Sequence, residues 1–362
     1  MVHIWVRAEQ RPNETRVGIT PAGAAELLNK GFRVTVEESP SRVIPNDQYA
    51  AAGCTIVPAH SWPDAPSDAI IFGLKELPDD DMPLRHRHVM FGHAYKGQAS
   101  GRVLLERFRK GGGQLLDLEY LTDDKGRRVA AFGYWAGFAG AAVSLICWDA
   151  QLRGETAGPV QPYDNAGALR DDLQQRLSQL DAPAPRALII GALGRVGTGA
   201  ADLCKAVGVA VTPWDMKETA SGGPFPEILR HEIFINCILA GPDTPRFVGH
   251  EDLTPDRALR VIGDIACDPD STVNPVPLYD RATTWAAPAR RVAENPPLDV
   301  MAIDNLPSML PLESSQDFAA QLLPTLSALE EPHNPVWQRA ADLFERHVAA
   351  DSAGKTDQEN IR

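Results

Sequence analysis

The sequence predicts an α/β protein of two domains, each with a mostly parallel sheet that helices cover on both faces. Two observations support this prediction. Short apolar runs alternate with helical stretches along residues 1–130, and a glycine-rich turn between a strand and a helix lies near residue 190. The length of 362 residues also suits about two domains of roughly 150 residues each.

Composition narrows the possible functions. Hydrophobic residues make up 44% of the chain and charged residues 23%, which excludes a mostly disordered protein. The formal net charge of −13 argues against a nucleic-acid partner, because phosphate binding needs a basic surface. None of the five cysteines forms a CxxC pair, so we expect neither a zinc knuckle nor a thioredoxin-type motif. We expect no metal site.

The first domain begins with a strand at residues 3–7, which a helix at residues 20–29 follows. Thr20 is the expected N-cap of that helix and Pro21 its first residue. We expect further strands at residues 33–37, 69–74, 89–93 and 114–118. The segment LRHRH, with His86 and His88, is interpreted as a solvated turn, because two histidines alone lack a third metal ligand.

Residues 129–148 carry no charge over about one bilayer thickness, and Gly133 and Gly137 have the GxxxG spacing of membrane helix dimers. However, the segment is rich in glycine and alanine and stands alone in an otherwise soluble pattern. We therefore favour a buried helix over a membrane span. A polar linker with its own helical pattern follows at residues 151–186 and leads into the second domain.

Residues 187–215 contain a strand, a glycine turn, a helix and a second strand that ends near Asp215. Gly191, Gly194, Gly197 and Gly199 allow the backbone to approach a pyrophosphate at the start of the helix. Asp215 lies where an acidic residue accepts hydrogen bonds from a ribose 2′-hydroxyl, which favours NAD over NADP. A glycine turn that binds no ligand is the alternative.

Several strings occur in a characteristic order: ETRVGITP, GLKE, FGHAYKGQ, GRRVAAFG, GALGRVGTG, WDMKET, GGPF, FINCI and IDNLPSMLP. In these strings the chain resembles the NAD-dependent, lysine-forming saccharopine dehydrogenases, and more distantly alanine dehydrogenase and transhydrogenase. The resemblance implies two Rossmann-like domains with the active site in the cleft between them. The substrate-side domain would comprise residues 1–134 plus about 320–362, and the NAD-binding domain residues 135–319.

The reaction that the resemblance implies is the reversible, NAD-dependent oxidation of saccharopine to an imine, which water cleaves to L-lysine and 2-oxoglutarate. Hydride loss requires a neutral amine, so a base must first remove a proton. Lys75 follows an apolar strand, where α/β sites form, and desolvation lowers the pKa of a lysine enough for it to act as that base. A solvated lysine at a strand end is the alternative.

The resemblance assigns three catalytic residues: Lys75 as the base, His93 as the acid–base group for water addition, and Glu119 as the acid that holds Lys75. A buried core histidine and an ordinary ion pair are the alternatives for His93 and Glu119. The substrate carries three carboxylates, for which Arg16 and Arg128 match binding arginines, since a guanidinium grips a carboxylate with two hydrogen bonds. The further matching substrate contacts, besides Lys75, are Gln98 and Phe132.

The resemblance places cofactor contacts mainly in the second half of the chain. They are Arg127, Gly194, Arg195, Val196, Asp215, Thr219, Leu239, Ile265, Ile303, Asp304, Asn305 and Leu306. Three of these depart from the fungal pattern. Val196 replaces a cysteine that could pair with the residue matching Cys237, so that pair cannot form. Leu239 replaces an aromatic residue, and Asn305 replaces a histidine.

Two other hypotheses fit the same residues. The scaffold could oxidise another N-carboxyalkyl amino acid or a simple amino acid, or the protein could bind NAD without turnover. The start lacks a secretory signal and the end, ENIR, lacks a peroxisomal SKL. We therefore expect a cytoplasmic protein that acts on a small molecule, with no nucleic-acid or membrane partner. The resemblance implies a monomer, because fungal-type relatives act as monomers.

Overall fold

The computed structural model describes residues 1–11, 13–96 and 99–359, with side chains described up to residue 349. The chain divides into two compact units. Unit 1 comprises Met1–Ala131 and Ser314–Arg362, and unit 2 comprises Phe132–Glu313.

The strands fall into two sheets. The strands of unit 1 are β1 (His3–Val6), β2 (Arg33–Glu37), β3 (Thr55–Val57), β4 (Ala69–Phe72), β5 (Arg87–Met90) and β6 (Gln114–Asp117). The strands of unit 2 are β7 (Arg186–Ile190), β8 (Ala210–Trp214), β9 (Ile233–Asn236), β10 (Val261–Asp264), β11 (Arg290–Glu294) and β12 (Pro297–Met301).

The helices connect and flank these strands. They are α1 (Pro21–Asn29), α2 (Asn46–Ala51), α3 (Ala99–Gly111), α4 (Gly133–Leu152), α5 (Ala166–Ser178), α6 (Arg195–Ala206), α7 (Met216–Thr219), α8 (Pro311–Ser327) and α9 (Pro335–Glu359). The predicted start of α1 is confirmed, because the Thr20 hydroxyl accepts a hydrogen bond from the Gly23 amide at 3.2 Å and Pro21 opens the helix.

The sheet of unit 1 is parallel throughout, in the order β3-β2-β1-β4-β5-β6. The strand order therefore reverses between β1 and β4. At such a switch point the loops that leave the carboxyl ends of two adjacent strands diverge, which opens a crevice for ligands. Helix α9 packs on this unit, where Phe344 contacts Phe108 edge-on with ring centroids 5.6 Å apart.

The interpretation of LRHRH as a solvated turn is wrong. His86 is only 5% exposed, and His88, on β5, is fully buried between the rings of Trp62 and Phe108 at 5.2 and 5.3 Å. His86 lies directly before β5, and the low exposure of both histidines shows that they lie in the interior of unit 1. Arg85 and Arg87 hide the start of this strand from a hydrophobicity pattern, so the strand predicted at residues 89–93 is found at Arg87–Met90.

The sheet of unit 2 has the order β11-β12-β10-β9-β7-β8 and is parallel except for the antiparallel edge strand β11. Its strand order reverses between β7 and β9. The glycine turn leaves the carboxyl end of β7, so it lies at the switch point of this unit. The prediction of two mostly parallel sheets in an α/β fold is confirmed.

Helix α4 is the apolar segment of the sequence, and its residues from Gly137 to Asp149 are buried. It packs closely on α6: a Cβ atom at Gly137 would lie 1.8 Å from the Val196 carbonyl oxygen, and one at Gly199 would lie 1.9 Å from that of Tyr134. The small residues thus allow two helices of one unit to touch, and the buried-helix interpretation is confirmed. Within the described residues, no helix is long and apolar enough to cross a membrane.

Candidate active site and cofactor loop

The switch point of unit 1 gathers charged side chains from two loops. The loop after β1 carries Glu9, Glu14 and Arg16, and the turn after β4 carries Lys75. These loops leave adjacent parallel strands, so the topology places their residues at one edge of the sheet. Sequence reasoning identified Lys75 and Arg16 but missed Glu9 and Glu14, which the same strand-end argument could have identified.

Lys75 is half-buried in this cluster. Burial lowers the pKa of its ammonium group, and the Arg16 guanidinium lowers the pKa further, while the Glu14 carboxylate opposes both effects. Among the described residues, none accepts a hydrogen bond from the Lys75 amine at the distances observed. The amine therefore combines a depressed proton affinity with freedom to meet a ligand, which is what a general base requires.

Glu14 and Arg16 form a buried pair. Arg16 Nε donates to Glu14 Oε1 at 2.8 Å, and Arg16 Nη2 donates to Glu14 Oε2 at 2.6 Å, with both residues under 5% exposed. Burial would raise the pKa of Glu14, but its bonds and attraction to Arg16 outweigh burial and hold the pKa below its usual range. The Arg16 fork that was predicted to grip a substrate carboxylate thus holds Glu14 in this structure.

The ends of β5 and β6 form a second charged cluster. His93 lies in the left-handed region with φ of +47°, and its Nδ1 is 3.8 Å from Glu119 Oε2. Glu119 Oε1 also accepts from Lys96 Nζ at 3.0 Å and from Arg128 Nη2 at 2.6 Å. Burial would raise the pKa of Glu119, but the Lys96 bond and the Arg128 charge prevail and lower it.

These contacts differ from the predicted role of Glu119. Glu119 was expected to hold Lys75, whereas its described contacts are with His93, Lys96 and Arg128. The carboxylate that acts most strongly on Lys75 is Glu14. The reason is topological: Glu119 follows β6, two strands away from β4 in the sheet, and β5 with His93 lies between them. The ion-pair alternative for Glu119 describes its surroundings better.

Asp117, which sequence reasoning missed, joins the loops that carry His93 and Glu119. Its Oδ2 accepts from the Gly92 amide at 3.2 Å and its Oδ1 from the Glu119 amide at 2.9 Å. Asp117 is 1% exposed, and burial raises its pKa to about 6. Its one sequence signal is a carboxylate directly at a strand end.

The remaining predicted substrate residues are distributed as follows. Arg128 is 42% exposed at its side chain, on a turn whose Arg127 is paired with Asp123 at 2.8 Å. Phe132 is the N-cap residue of α4 in unit 2. Gln98 lies outside the described residues.

In unit 2 the glycine turn brings the start of helix α6 close to the main chain at the end of β7. Gly191 has φ of +83°, and a Cβ atom at Gly197 would lie 2.1 Å from the Gly191 carbonyl oxygen. Gly194 is the N-cap of α6, which Arg195 and Val196 continue. The first amides of a helix have no partner within the helix, so this end of α6 offers donors and a partial positive charge to a phosphate.

Asp215 follows β8 and caps α7. Its Oδ1 accepts from the Met216 amide at 2.9 Å, while its Oδ2 accepts from the Leu193 amide of the glycine turn at 3.1 Å. Thr219 Oγ1 donates back to the Asp215 carbonyl at 3.2 Å. The carboxylate is thereby held beside the glycine turn, where an acidic residue can receive a ribose hydroxyl.

Large apolar side chains are exposed around this turn. Leu193, Met216 and Leu239 are 82%, 82% and 73% exposed, and each follows one of the three adjacent strands β7, β8 and β9. Exposed apolar side chains at a ligand-binding edge suit a flat aromatic group such as adenine.

The other predicted cofactor residues follow the next strands of the same sheet. Ile265 comes directly after β10, and its amide donates to the Asn236 carbonyl at 3.0 Å. Ile303 and Leu306 are buried near the end of β12, and Asp304 and Asn305 lie between them. All of these residues belong to unit 2 and follow carboxyl ends of its strands. No group of His, Cys, Asp or Glu in the described part of the chain could hold a metal ion.

Comparison with known proteins adds to this geometry. The family model described as alanine dehydrogenase/PNT, N-terminal domain, matches residues 5–139. A protein of Neurospora crassa named saccharopine dehydrogenase (NAD+, L-lysine-forming) is 47% identical over 96% of this chain and 96% of its own. A Candida glabrata protein of the same name is 46% identical over 96% of this chain and 97% of its own.

The chain belongs to the saccharopine dehydrogenase (NAD+, L-lysine-forming) family. Solved structures with this fold include an L-alanine dehydrogenase, with a TM-score of 0.64 and 16% identity over 95% of this chain and 94% of its own. A transhydrogenase from Sinorhizobium meliloti has a TM-score of 0.60 and 18% identity over 91% of this chain and 94% of its own. At these identities the likeness of this chain to both structures concerns the fold alone.

Proposed function

We propose that this protein catalyses the NAD-dependent oxidation of saccharopine to L-lysine and 2-oxoglutarate, reversibly. The observation that carries this proposal is the Lys75 amine at the switch point of unit 1, with its lowered pKa, in a chain of this family. A secondary amine must lose its proton before a hydride can leave the adjacent carbon. Among the described residues of this cluster, we assign the Lys75 amine to take this proton.

The Glu14–Arg16 pair would set the proton affinity of Lys75. Arg16 lowers the pKa of Lys75 and Glu14 raises it. Because Arg16 and Glu14 are bonded to each other, both charges are held at fixed positions. Removal of Glu14 alone would leave an uncompensated buried guanidinium and lower the pKa of Lys75 further.

His93 would serve the hydrolytic half of the reaction. Imidazole takes a proton from water as the water adds to the imine carbon, and returns a proton to nitrogen as the carbon–nitrogen bond breaks. Glu119 Oε2 lies 3.8 Å from His93 Nδ1, where its negative charge would attract an imidazolium formed between these events. Lys96 and Arg128 also pair with the Glu119 carboxylate. Their positive charges would attract a substrate that carries three carboxylates.

The residues of unit 2 fit NAD. The close approach at Gly197 and the first turn of α6 suit the pyrophosphate, and Asp215 suits an adenosine ribose with a free 2′-hydroxyl. When bound, NAD supplies the acceptor for the hydride. We assign the remaining contacts of the dinucleotide to the loops after β9, β10 and β12.

A substrate panel tests this proposal. The protein is mixed with NAD and with saccharopine, another N-carboxyalkyl amino acid or a simple amino acid, and the absorbance of reduced nicotinamide is followed. We expect a signal with saccharopine. A signal only with another amine would show that the enzyme acts on that amine and not on saccharopine. NAD binding without a signal for any amine would show that the protein binds the nucleotide without catalysing this oxidation.

The proposal includes a monomeric protein in the cytoplasm. The net charge of −13 opposes association with nucleic acid or with an anionic membrane surface. Sedimentation of the protein with and without NAD would test the monomer, and a dimer in both samples would contradict it.

A further inference from the structure

The main chain at Lys75 is held by a carboxylate from the loop after β1. Glu9 Oε1 accepts from the Leu74 amide at 2.6 Å, and Glu9 Oε2 accepts from the Lys75 amide at 3.1 Å. Glu9 lies 66 residues before Lys75, so this is a tertiary contact between the loop after β1 and the turn after β4. One side chain thus fixes two consecutive amides that lie beyond the end of the strand ladder.

Arg7 completes the arrangement from the other side of the same residue. Its Nη2 donates to the Lys75 carbonyl oxygen, and its Nη1 lies 3.3 Å from Glu9 Oε2. The side chains of Arg7 and Glu9 are 2% and 9% exposed. The amide and the carbonyl of Lys75 are therefore both bonded to a buried ion pair, which restricts the two peptide planes that flank this residue.

Gly73 leaves the space that the Arg7 guanidinium occupies. A Cβ atom at Gly73 would lie 2.3 Å from Arg7 Nε and 2.5 Å from Arg7 Cζ, so any larger residue would displace the Arg7 side chain. The guanidinium lies against the backbone of the turn that leads into Lys75. A buried charge is costly unless it is paired and hydrogen-bonded, and here both charges are used to bond one short stretch of backbone.

We propose that Arg7 and Glu9 are positioning residues that hold the backbone at Lys75, so that its amine meets the substrate nitrogen. This proposal rests on the proposed function, in which Lys75 is the base. Neither residue needs to touch the substrate. A displacement of about 1 Å at a reacting group is enough to reduce a rate by orders of magnitude, so we expect loss of the hold to appear in the chemical step.

A pair of Glu9 variants with a matched control tests this proposal. Glu9→Ala removes both acceptors, whereas Glu9→Gln keeps one carbonyl acceptor for one of the two amides. Asp299→Asn in unit 2 is the control, because Asp299 is also a fully buried carboxylate bonded to an arginine, Arg291, at 2.6 Å. Hydrogen exchange at residues 74 and 75, kcat and KM for saccharopine, and NAD binding are measured for each.

We expect Glu9→Ala to speed the exchange of these amides at least about tenfold and to lower kcat at least about tenfold. A tenfold change corresponds to the free energy of roughly one lost hydrogen bond. Glu9→Gln should fall between Glu9→Ala and the wild type, and the NAD dissociation constant should stay within about twofold. Asp299→Asn should lower the unfolding temperature without faster exchange at residues 74 and 75.

Two results would overturn the proposal. One is wild-type kcat in Glu9→Ala together with wild-type exchange, and the other is an equal fall of kcat in Glu9→Ala and Asp299→Asn at equal loss of stability. A wild-type protein that does not oxidise saccharopine would instead contradict the proposed function. In that case the exchange measurement still decides whether Glu9 holds residues 74 and 75.

Discussion

The carboxyl edges of the two sheets consist of different chemical groups, although the strand order reverses at both edges. The edge of unit 1 is made of charged side chains in buried pairs, such as Glu14–Arg16 and Arg7–Glu9. The edge of unit 2 is made of glycine backbone, the end of α6 and exposed apolar side chains such as Leu193. In the proposed function, unit 1 moves protons and unit 2 binds the nucleotide, so substitutions at the two edges should have separable effects.

The largest expected effect is at Lys75. Lys75→Met removes the amine but keeps a flexible side chain of similar length, so turnover should fall by several orders of magnitude while NAD affinity stays near normal. Steady-state kinetics with saccharopine and a separate NAD titration check both parts. Lys30→Met, at an exposed ion pair with Glu26, is the control and should keep full activity. Unchanged turnover in Lys75→Met would remove Lys75 from the mechanism.

The second expected effect is at the glycine turn of unit 2. Gly197→Ala places a Cβ atom 2.1 Å from the Gly191 carbonyl oxygen, so the turn must shift and NAD affinity should fall at least about tenfold. Calorimetric titration with NAD measures this change. Gly158→Ala is the control, because a Cβ atom there has nothing within 4 Å. Equal affinity in both variants would show that the turn does not approach the pyrophosphate.

Asp215 should have a smaller effect on binding. Asp215→Ala should weaken NAD binding by roughly 1–3 kcal/mol if it leaves ribose hydroxyls unpaired. Asp215 also caps α7. Glu218→Ala removes the hydrogen bond that the Asp215 amide donates to Glu218 Oε2, so it separates the two roles. If both variants weaken NAD equally, or if Asp215→Ala leaves the dissociation constant unchanged, the hydroxyl is bound elsewhere.

The smallest expected effect is on the free energy of unfolding, and it concerns His88, a buried residue that belongs to neither edge. Burial lowers the pKa of His88 well below its ordinary value of 6.5. The unfolded chain therefore takes up this proton first as pH falls, and the stability that is complete above pH 6.5 is lost progressively below it.

His88→Phe should remove this dependence. The wild type should lose up to about 1.4 kcal/mol of unfolding free energy per pH unit through this residue, and the variant should lack that slope. Urea unfolding between pH 5 and pH 7, as a rough window set by the ordinary histidine pKa, measures the difference. Parallel pH profiles for the two proteins would contradict the assignment.

The two edges were also unequally predictable from the sequence. Strand β2 was predicted at residues 33–37 and is found at Arg33–Glu37, and the strand, glycine turn and helix of unit 2 occur where local patterns indicated them. Glycine turns and helix caps are local features, so their signals lie within a few residues. The buried His88 and the contacts of Glu119 depend on strands that are distant in sequence.

The residues around Lys75 show the same limit. Glu9 and Lys75 are 66 residues apart, and their contact exists only because β1 and β4 are neighbours in the sheet. A strand-end argument can identify each residue as a candidate, but it cannot assign partners among several acids and bases at one edge. The predicted contact of Glu119 with Lys75 depended on such an assignment, whereas the described contacts of Glu119 are with His93, Lys96 and Arg128.

The most direct test of the division between the two edges is the product balance of a single reaction. The wild-type protein is incubated with saccharopine and NAD, and L-lysine, 2-oxoglutarate and reduced nicotinamide are quantified together. We predict that the three products form in equal amounts, and that Lys75→Met binds NAD but forms none of them. Wild-type protein that binds NAD and leaves saccharopine intact, or a Lys75→Met variant with the full product yield at the wild-type rate, would contradict this account.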